Sequence, residues 1–424
     1  MRKEIFTDQK LGESYIRARH PSGLTIYICE KPEYASAYAL FGTKYGSIDT
    51  RFRREGGDWV DVPEGIAHFL EHKLFESEEG DAFARYAETG AYANAFTSFD
   101  RTCYLFSCSG RFSDSLDILL DFVQSPYFTK ETVDKEQGII GQEIRMYDDS
   151  PDWRVLFNLL LAMYENHPVR IDIAGTVESI AKIDDRLLYA CYDTFYNPAN
   201  MFICIAGRVD ADAVLEQIDK SLKPTEPVKV ERGAFSEPDG VVRKLTEQHM
   251  AVSIPLFCYG FKERCDQPQR TTEQKVYMNL LLELAAGPAS PLYNRLLKEG
   301  LVNKNFGGEY FTGHGYAAVI FQGESMDPRR TADAIADEFD RLKAQGVDPA
   351  AFEDARRNLY GRAVMRFNNV ESVAMGLVDA AMEDGDLFSE LEIYRNATPE
   401  RLSDRLAVFD REKAALSVIL PTEK

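Results

Sequence analysis

The chain has 424 residues, 45% of them hydrophobic and 28% charged, and its 49 Lys and Arg against 69 Asp and Glu leave a formal charge of −20. That balance excludes an ordinary nucleic-acid binder, because a phosphate backbone demands a basic face. The length exceeds what one hydrophobic core usually serves, so a soluble globular protein of two domains is expected.

The chain opens on Met1-Arg2-Lys3-Glu4-Ile5-Phe6-Thr7-Asp8, which lacks the apolar stretch of a signal peptide, and no later run is apolar for long enough to span a bilayer. A cytoplasmic chain with no membrane partner is the expectation. Strands are predicted at 25–29 and 37–42, helices at 65–75 and 81–89, and a strand at 102–107. Helices follow at 113–124, 130–147, 153–164 and 183–195, and a buried strand at 201–207 ends on a glycine. Cys103 and Cys108 share the 102–107 strand region at an odd separation and therefore face opposite ways. Seven cysteines without a Cys-x-x-Cys pair read as reduced, mostly buried thiols.

The second half repeats this order with a strand at 251–258, helices at 272–286 and 291–298, strands at 306–311 and 316–322, helices at 331–345 and 350–367, and a last strand at 415–420. Between the halves, 224–240 is rich in proline, glycine and charge, as a linker is. The expected division is a metal-bearing domain at 1–222, a linker at 223–243 and a similar domain at 244–424. The repeat lies in element order and not in residue identity, which marks a duplicated domain.

The chemistry concentrates in Gly65-Ile66-Ala67-His68-Phe69-Leu70-Glu71-His72. On a helix, His68 and His72 project one turn apart from one face, and Glu71 shares it. Two imidazoles and a carboxylate at this spacing are the minimal parts of a hydrolytic zinc centre. The order His-x-x-Glu-His is the inverted form of the zinc-peptidase motif. A third ligand should be a carboxylate from another element, and Glu143 is the best placed, in the run from Glu136 to Tyr147. Glu136 lies seven residues earlier on the same helix face and reaches the site as a partner for a ligand histidine. Glu71, not itself a ligand, is placed to take a proton from the attacking water and deliver it to the leaving amine. The bland alternative buries His68, Glu71 and His72 on one face without a metal, which is costly. The matching second-half helix, from Val276 to Leu284, has no histidine, so only the first half can carry the metal.

The segments G-I-A-H-F-L-E-H-K-L-F, N-A-F-T at 94–97 and E-Q-G-I-I-G-Q-E-I-R-M-Y-D-D-S-P resemble the pitrilysin/insulinase family of zinc peptidases, across the whole chain. The chain is most similar to the short bacterial members that look like mitochondrial processing peptidase. The resemblance implies an α+β fold of two similar domains, each a mainly antiparallel sheet covered by helices, forming one clamshell half. It maps one zinc ion per chain onto His68, His72 and Glu143, the base onto Glu71 and the supporting carboxylate onto Glu136. It further implies that Asn94 and Ala95 lie on an edge strand to which an extended peptide adds as a further strand. Arg101-Thr102-Cys103-Tyr104 reads as core strand, and His167, before Pro168, as the fixer of a turn.

One departure matters. Family members place an Arg and a Tyr from a second-half-type domain opposite the zinc, to hold the substrate carbonyl and the developing oxyanion. The matching stretch offers Leu297 (or Leu296) and Asn303, with Arg295 out of phase. The expectation is a zinc metalloendopeptidase for extended oligopeptides or small unfolded proteins, working as the catalytic subunit of a heterodimer with a metal-free paralogue, or else as a homodimer. The alternative is a non-catalytic structural or peptide-holding subunit. A scaffold, however, has no need of His68, Glu71, His72 and Glu143 together.

Overall fold

Strand Met201–Gly207 is buried along all 7 of its residues. Its unbroken run of apolar side chains is what a strand covered on both faces requires. It sits within a 7-stranded sheet ordered Arg2–Asp8, Glu13–Arg19, Thr25–Glu30, Met201–Gly207, Ala37–Thr43, Thr102–Cys108 and Tyr92–Thr97. Met201–Gly207 runs parallel to Thr25–Glu30, and the other pairs are antiparallel. Gly42 leaves room for a neighbouring ring here: a Cβ at this position would lie 2.4 Å from Phe202 Cζ. Helix Phe112–Val123 packs on Thr102–Cys108 and Ala37–Thr43, and helix Val370–Glu383 packs on Met201–Gly207 and Ala37–Thr43. Each Ile, Leu or Phe enclosed in this way contributes about 1.5–3 kcal/mol.

A 5-stranded sheet repeats the pairing, in the order Leu245–Met250, Ala414–Pro421, Leu256–Lys262, Tyr316–Glu324 and Gly307–Gly313. Its first pair is parallel and the remaining pairs antiparallel. This matches the five strands from Thr25–Glu30 to Tyr92–Thr97 one for one, so the duplication extends from element order to strand pairing. Helix Pro151–Met163 covers Ala414–Pro421 and Leu256–Lys262.

The structure, a computed structural model, describes residues 1–78, 80–264 and 267–422. The chain forms two units, one of Met1–Ile144, Asp172–Gly233 and Val364–Ser389, the other of Arg145–Ile171, Ala234–Ala363 and Glu390–Lys424. Neither is continuous in sequence. The expectation of domains at 1–222 and 244–424 takes each half as self-contained, whereas Pro151–Met163 covers the second sheet and Val370–Glu383 covers the first. Apolar periodicity reports that a helix face is buried but not which sheet buries it.

The expected linker is tied down in both units. In the first, Val230–Arg232 pairs with Arg51–Arg54, and Arg232 Nε meets Asp49 Oδ1 at 2.7 Å. In the second, the buried Lys262 ammonium donates to Glu237 at 2.6 Å and to the carbonyls of Met163, Pro238 and Gly240 at 2.9, 2.7 and 2.9 Å. All six described cysteines are free and buried, Cys103 and Cys108 among them, while Cys265 lies outside the described residues. Among the described residues no helix is long and apolar enough to cross a membrane.

Candidate metal centre

The motif residues form helix Ile66–Leu74, in which every residue but His72 is buried. Its N-terminus has no side-chain cap; instead Gly65 turns the chain in at φ 88°, a left-handed conformation that suits glycine. A Cβ on Gly65 would lie 2.3 Å from the Ala174 carbonyl oxygen, so the helix start is pressed against the 174–175 loop. Ile66, Ala67, Phe69, Leu70 and Leu74 bury the helix and leave the His68–Glu71–His72 stripe facing the rest of the site.

The opposing element is helix Lys130–Asp148. Glu143 Oε1 lies 3.6 Å from His68 Nε2, and its Oε2 lies 3.5 Å from His72 Nε2. One donor atom from each of the three residues falls within 4.8 Å of the others. Ligands about 2.0–2.2 Å from a tetrahedral zinc stand roughly 3.3–3.5 Å apart, and the two Glu143–histidine separations are close to that spacing. Two turns earlier, Glu136 Oε1 lies 3.0 Å from His72 Nδ1, which orients that ring with Nε2 toward Glu143. Among the described residues His68 Nδ1 is buried without a hydrogen-bond partner, and the ring's other nitrogen faces Glu143.

Burial and the neighbouring His72 push the His68 pKa down to about 4, so this imidazole is neutral and able to ligate near pH 7. Burial pulls the same way at His72 but is outweighed by the Glu136 hydrogen bond and by the Glu71, Glu143 and Glu136 charges, and its pKa rises. Glu136 is lowered: burial pushes it up, and the His72 bond with the Lys73 and Lys135 charges overcomes this. Burial raises Glu71, against hydrogen bonding from Thr97 and attraction to His72.

Residue type alone gives Thr97 no role at the site. Its hydroxyl donates to Glu71 Oε2 at 2.6 Å, and it lies 3.3 Å from the Thr102 hydroxyl, which donates to the Tyr45 carbonyl at 2.9 Å. The available signal is the four-residue connection 98–101, which brings Thr97 opposite Thr102 in an antiparallel pair.

Asn94 and Ala95 lie on Tyr92–Thr97, at the edge of the 7-stranded sheet and paired with Thr102–Cys108. The Ala95 N–H donates to its neighbour's Asn94 Oδ1 at 2.9 Å. Thr102, Cys103 and Tyr104 are buried strand residues, while Arg101 belongs to the turn before them, paired with Asp100 at 3.0 Å and Asp379 at 2.8 Å. His167 holds a turn: its Nδ1 accepts from Val169 N at 3.1 Å and its Nε2 meets the His314 carbonyl at 3.1 Å. In the second unit Leu297 lies on helix Pro291–Lys298, and Asn303 bonds Glu324 while accepting from Asn305 N at 2.9 Å.

Comparison with known proteins adds a family context. Residues 57–177 match a family model described as Insulinase (Peptidase family M16), and residues 182–359 match one described as Peptidase M16 inactive domain. A Bacillus subtilis (strain 168) protein named as the uncharacterized zinc protease YmfH is 40% identical over 413 residues, covering 96% of each chain. The crystal structure of an M16-like peptidase from Alicyclobacillus acidocaldarius superposes with a TM-score of 0.92 at 38% identity, covering 96% of this chain and 98% of that one. A protease from Helicobacter pylori shares the fold at 18% identity and a TM-score of 0.83, covering 96% of this chain and 100% of that one.

Proposed function

The chain belongs to the insulinase family (peptidase family M16), and from that premise we propose that it is a zinc-dependent metalloendopeptidase with His68, His72 and Glu143 as the metal ligands. The observation that carries this reading is the convergence of the three donor atoms within 4.8 Å, beside a buried carboxylate that is not part of the set. When bound, zinc lowers the pKa of a water ligand to about 7 and polarises a carbonyl oxygen.

The chain's own residues supply the rest. Glu71 is the general base: its raised pKa lets the carboxylate accept a proton from the attacking water, and the resulting acid gives that proton to the leaving amine nitrogen. Thr97 holds Glu71 in one orientation. Glu136 keeps His72 turned toward Glu143. The Tyr92–Thr97 edge binds an extended peptide as an added strand, and the Ala95 N–H turns from Asn94 Oδ1 to the incoming chain.

The substrates of this reading are extended oligopeptides or small unfolded proteins, and the working form is a heterodimer with a metal-free paralogue. The second clause is supported by Leu297 and Asn303, which stand where the family resemblance calls for Arg and Tyr; Asn303 is committed to Glu324 and Asn305. The alternative, a non-catalytic subunit, predicts no hydrolysis under any pairing. The deciding experiment compares metal content and cleavage of a quenched peptide for wild type and Glu71→Gln, alone and mixed with the paralogue. About one zinc per chain in both proteins, with cleavage only in wild type, is expected. Cleavage by Glu71→Gln would remove Glu71 as the base.

A further inference from the structure

Lys73 follows His72 on the motif helix, and its side chain is 0% exposed. Burying an ammonium costs several kcal/mol, and an apolar side chain of similar size would fill the same space without that cost. Stability alone therefore gives no reason for a charge at this position. Among the described residues its ion-pair partner is Glu76, in the short hairpin just after the helix. Glu76 does not stop there: its other oxygen, Oε1, lies 3.7 Å from the Lys135 ammonium on helix Lys130–Asp148.

The two helices are thus cross-linked twice in adjacent positions. His72 meets Glu136 directly, while Lys73 meets Lys135 through the Glu76 carboxylate. Lys73 follows His72 and Lys135 precedes Glu136, so the ionic bridge sits beside the contact that orients the ligand ring. A second cross-link of this kind fixes both the axial position and the rotation of Lys130–Asp148 against the motif helix. Glu143, two turns beyond Glu136, is carried to the His68 and His72 nitrogens by that same placement.

We propose that Lys73, acting through Glu76 and Lys135, is a positioning residue that sets the spacing between the two helices holding the metal ligands. The proposal rests on the reading of His68, His72 and Glu143 as ligands. It assigns the buried charge to geometry, not to stability and not to contact with substrate.

The test uses the full chain and three readouts: thermal midpoint, zinc affinity by competition with a chromophoric chelator, and the visible spectrum of the Co²⁺-substituted protein, which reports ligand geometry. Lys73→Met is expected to melt at or above the wild-type temperature yet to bind zinc about 10–100-fold more weakly, with an altered Co²⁺ spectrum. Glu76→Gln, at a partly exposed position, should weaken zinc binding in the same direction, and Lys73→Arg should recover most of the affinity. Should Lys73→Met fail to fold, Glu76→Gln carries the test alone. Zinc affinity within twofold of wild type and an unchanged spectrum in Lys73→Met and Glu76→Gln would overturn the clamp. His68→Gln serves as the control: if it too keeps wild-type affinity, the ligand assignment fails and not the clamp.

Discussion

Thr97 donates its hydroxyl to Glu71 Oε2 at 2.6 Å, and so the last residue of the edge strand holds the carboxylate of the motif helix. The same short segment that is proposed to bind the peptide backbone also orients the proposed base. Thr97→Val keeps the shape of the side chain and removes the donor. The expected result is a fall in kcat of about tenfold, corresponding to about 1.4 kcal/mol, with zinc content and KM close to wild type. A KM effect without a kcat effect would show that Thr97 serves the strand and not Glu71.

The edge strand itself can be probed through one atom. The Ala95 N–H is bonded to the adjacent Asn94 side chain, so it points to the open side of the strand and is available for an added peptide. Ala95→Pro removes this donor at a position where an edge strand tolerates proline. KM for an extended peptide should rise by roughly tenfold, the equivalent of one hydrogen bond, with the fold and zinc content retained. Unchanged KM would place substrate elsewhere.

The proposed ligand set is legible in the sequence because helical periodicity is a local rule. His68, Glu71 and His72 share a face by spacing, and Glu136 and Glu143 share another by the same arithmetic. The helix expected at 130–147 is observed as Lys130–Asp148, and the strand at 201–207 as Met201–Gly207. What escaped was non-local. The hairpin Arg2–Asp8 with Glu13–Arg19 is polar and half exposed, so it lacks an apolar run to announce it. Helix Val370–Glu383 lies outside the expected elements, and the strand expected at 251–258 straddles the gap between Leu245–Met250 and Leu256–Lys262. The Lys73–Glu76–Lys135 bridge joins elements sixty residues apart, and no periodicity links them.

Two glycines separate backbone strain from steric exclusion. Gly65 and Gly90 both have positive φ, 88° and 75°, but only Gly65 is enclosed, with the Ala174 carbonyl 2.3 Å from where a Cβ would stand. Among the described residues, beyond its chain neighbours, nothing lies within 4 Å of where a Cβ on Gly90 would stand. Gly90→Ala should cost about 1–2 kcal/mol for the left-handed conformation alone. Gly65→Ala adds a clash with backbone and should cost about 3 kcal/mol or more, and it should also loosen the start of the motif helix. Paired thermal melts check the order: equal losses would mean that the 174–175 loop yields freely.

His167 provides a pH test in the second unit. Both of its ring nitrogens are engaged, Nδ1 as an acceptor from Val169 N and Nε2 toward the His314 carbonyl, so a second ring proton would break the first bond. Burial accordingly lowers its pKa to about 4. An unfolded histidine takes up its proton near pH 6.5. As pH falls from 6.5 toward 4 the unfolded chain gains a proton that the folded chain refuses, and folding loses stability over that window. The loss attributable to His167 is about 2 kcal/mol between pH 7 and pH 5. Glu237 acts lower: burial pushes its pKa up, but the Lys262 ammonium and three backbone N–H groups outweigh this and hold it below the usual carboxylate range. Its contribution is therefore present above the unfolded carboxylate pKa of about 4.3 and disappears as pH falls through the folded value. Denaturant melts of wild type and His167→Gln at pH 7, 6 and 5 separate the two groups. The variant should start less stable at pH 7 and lose less on acidification to pH 5, and parallel losses in both proteins would show that His167 is not the source.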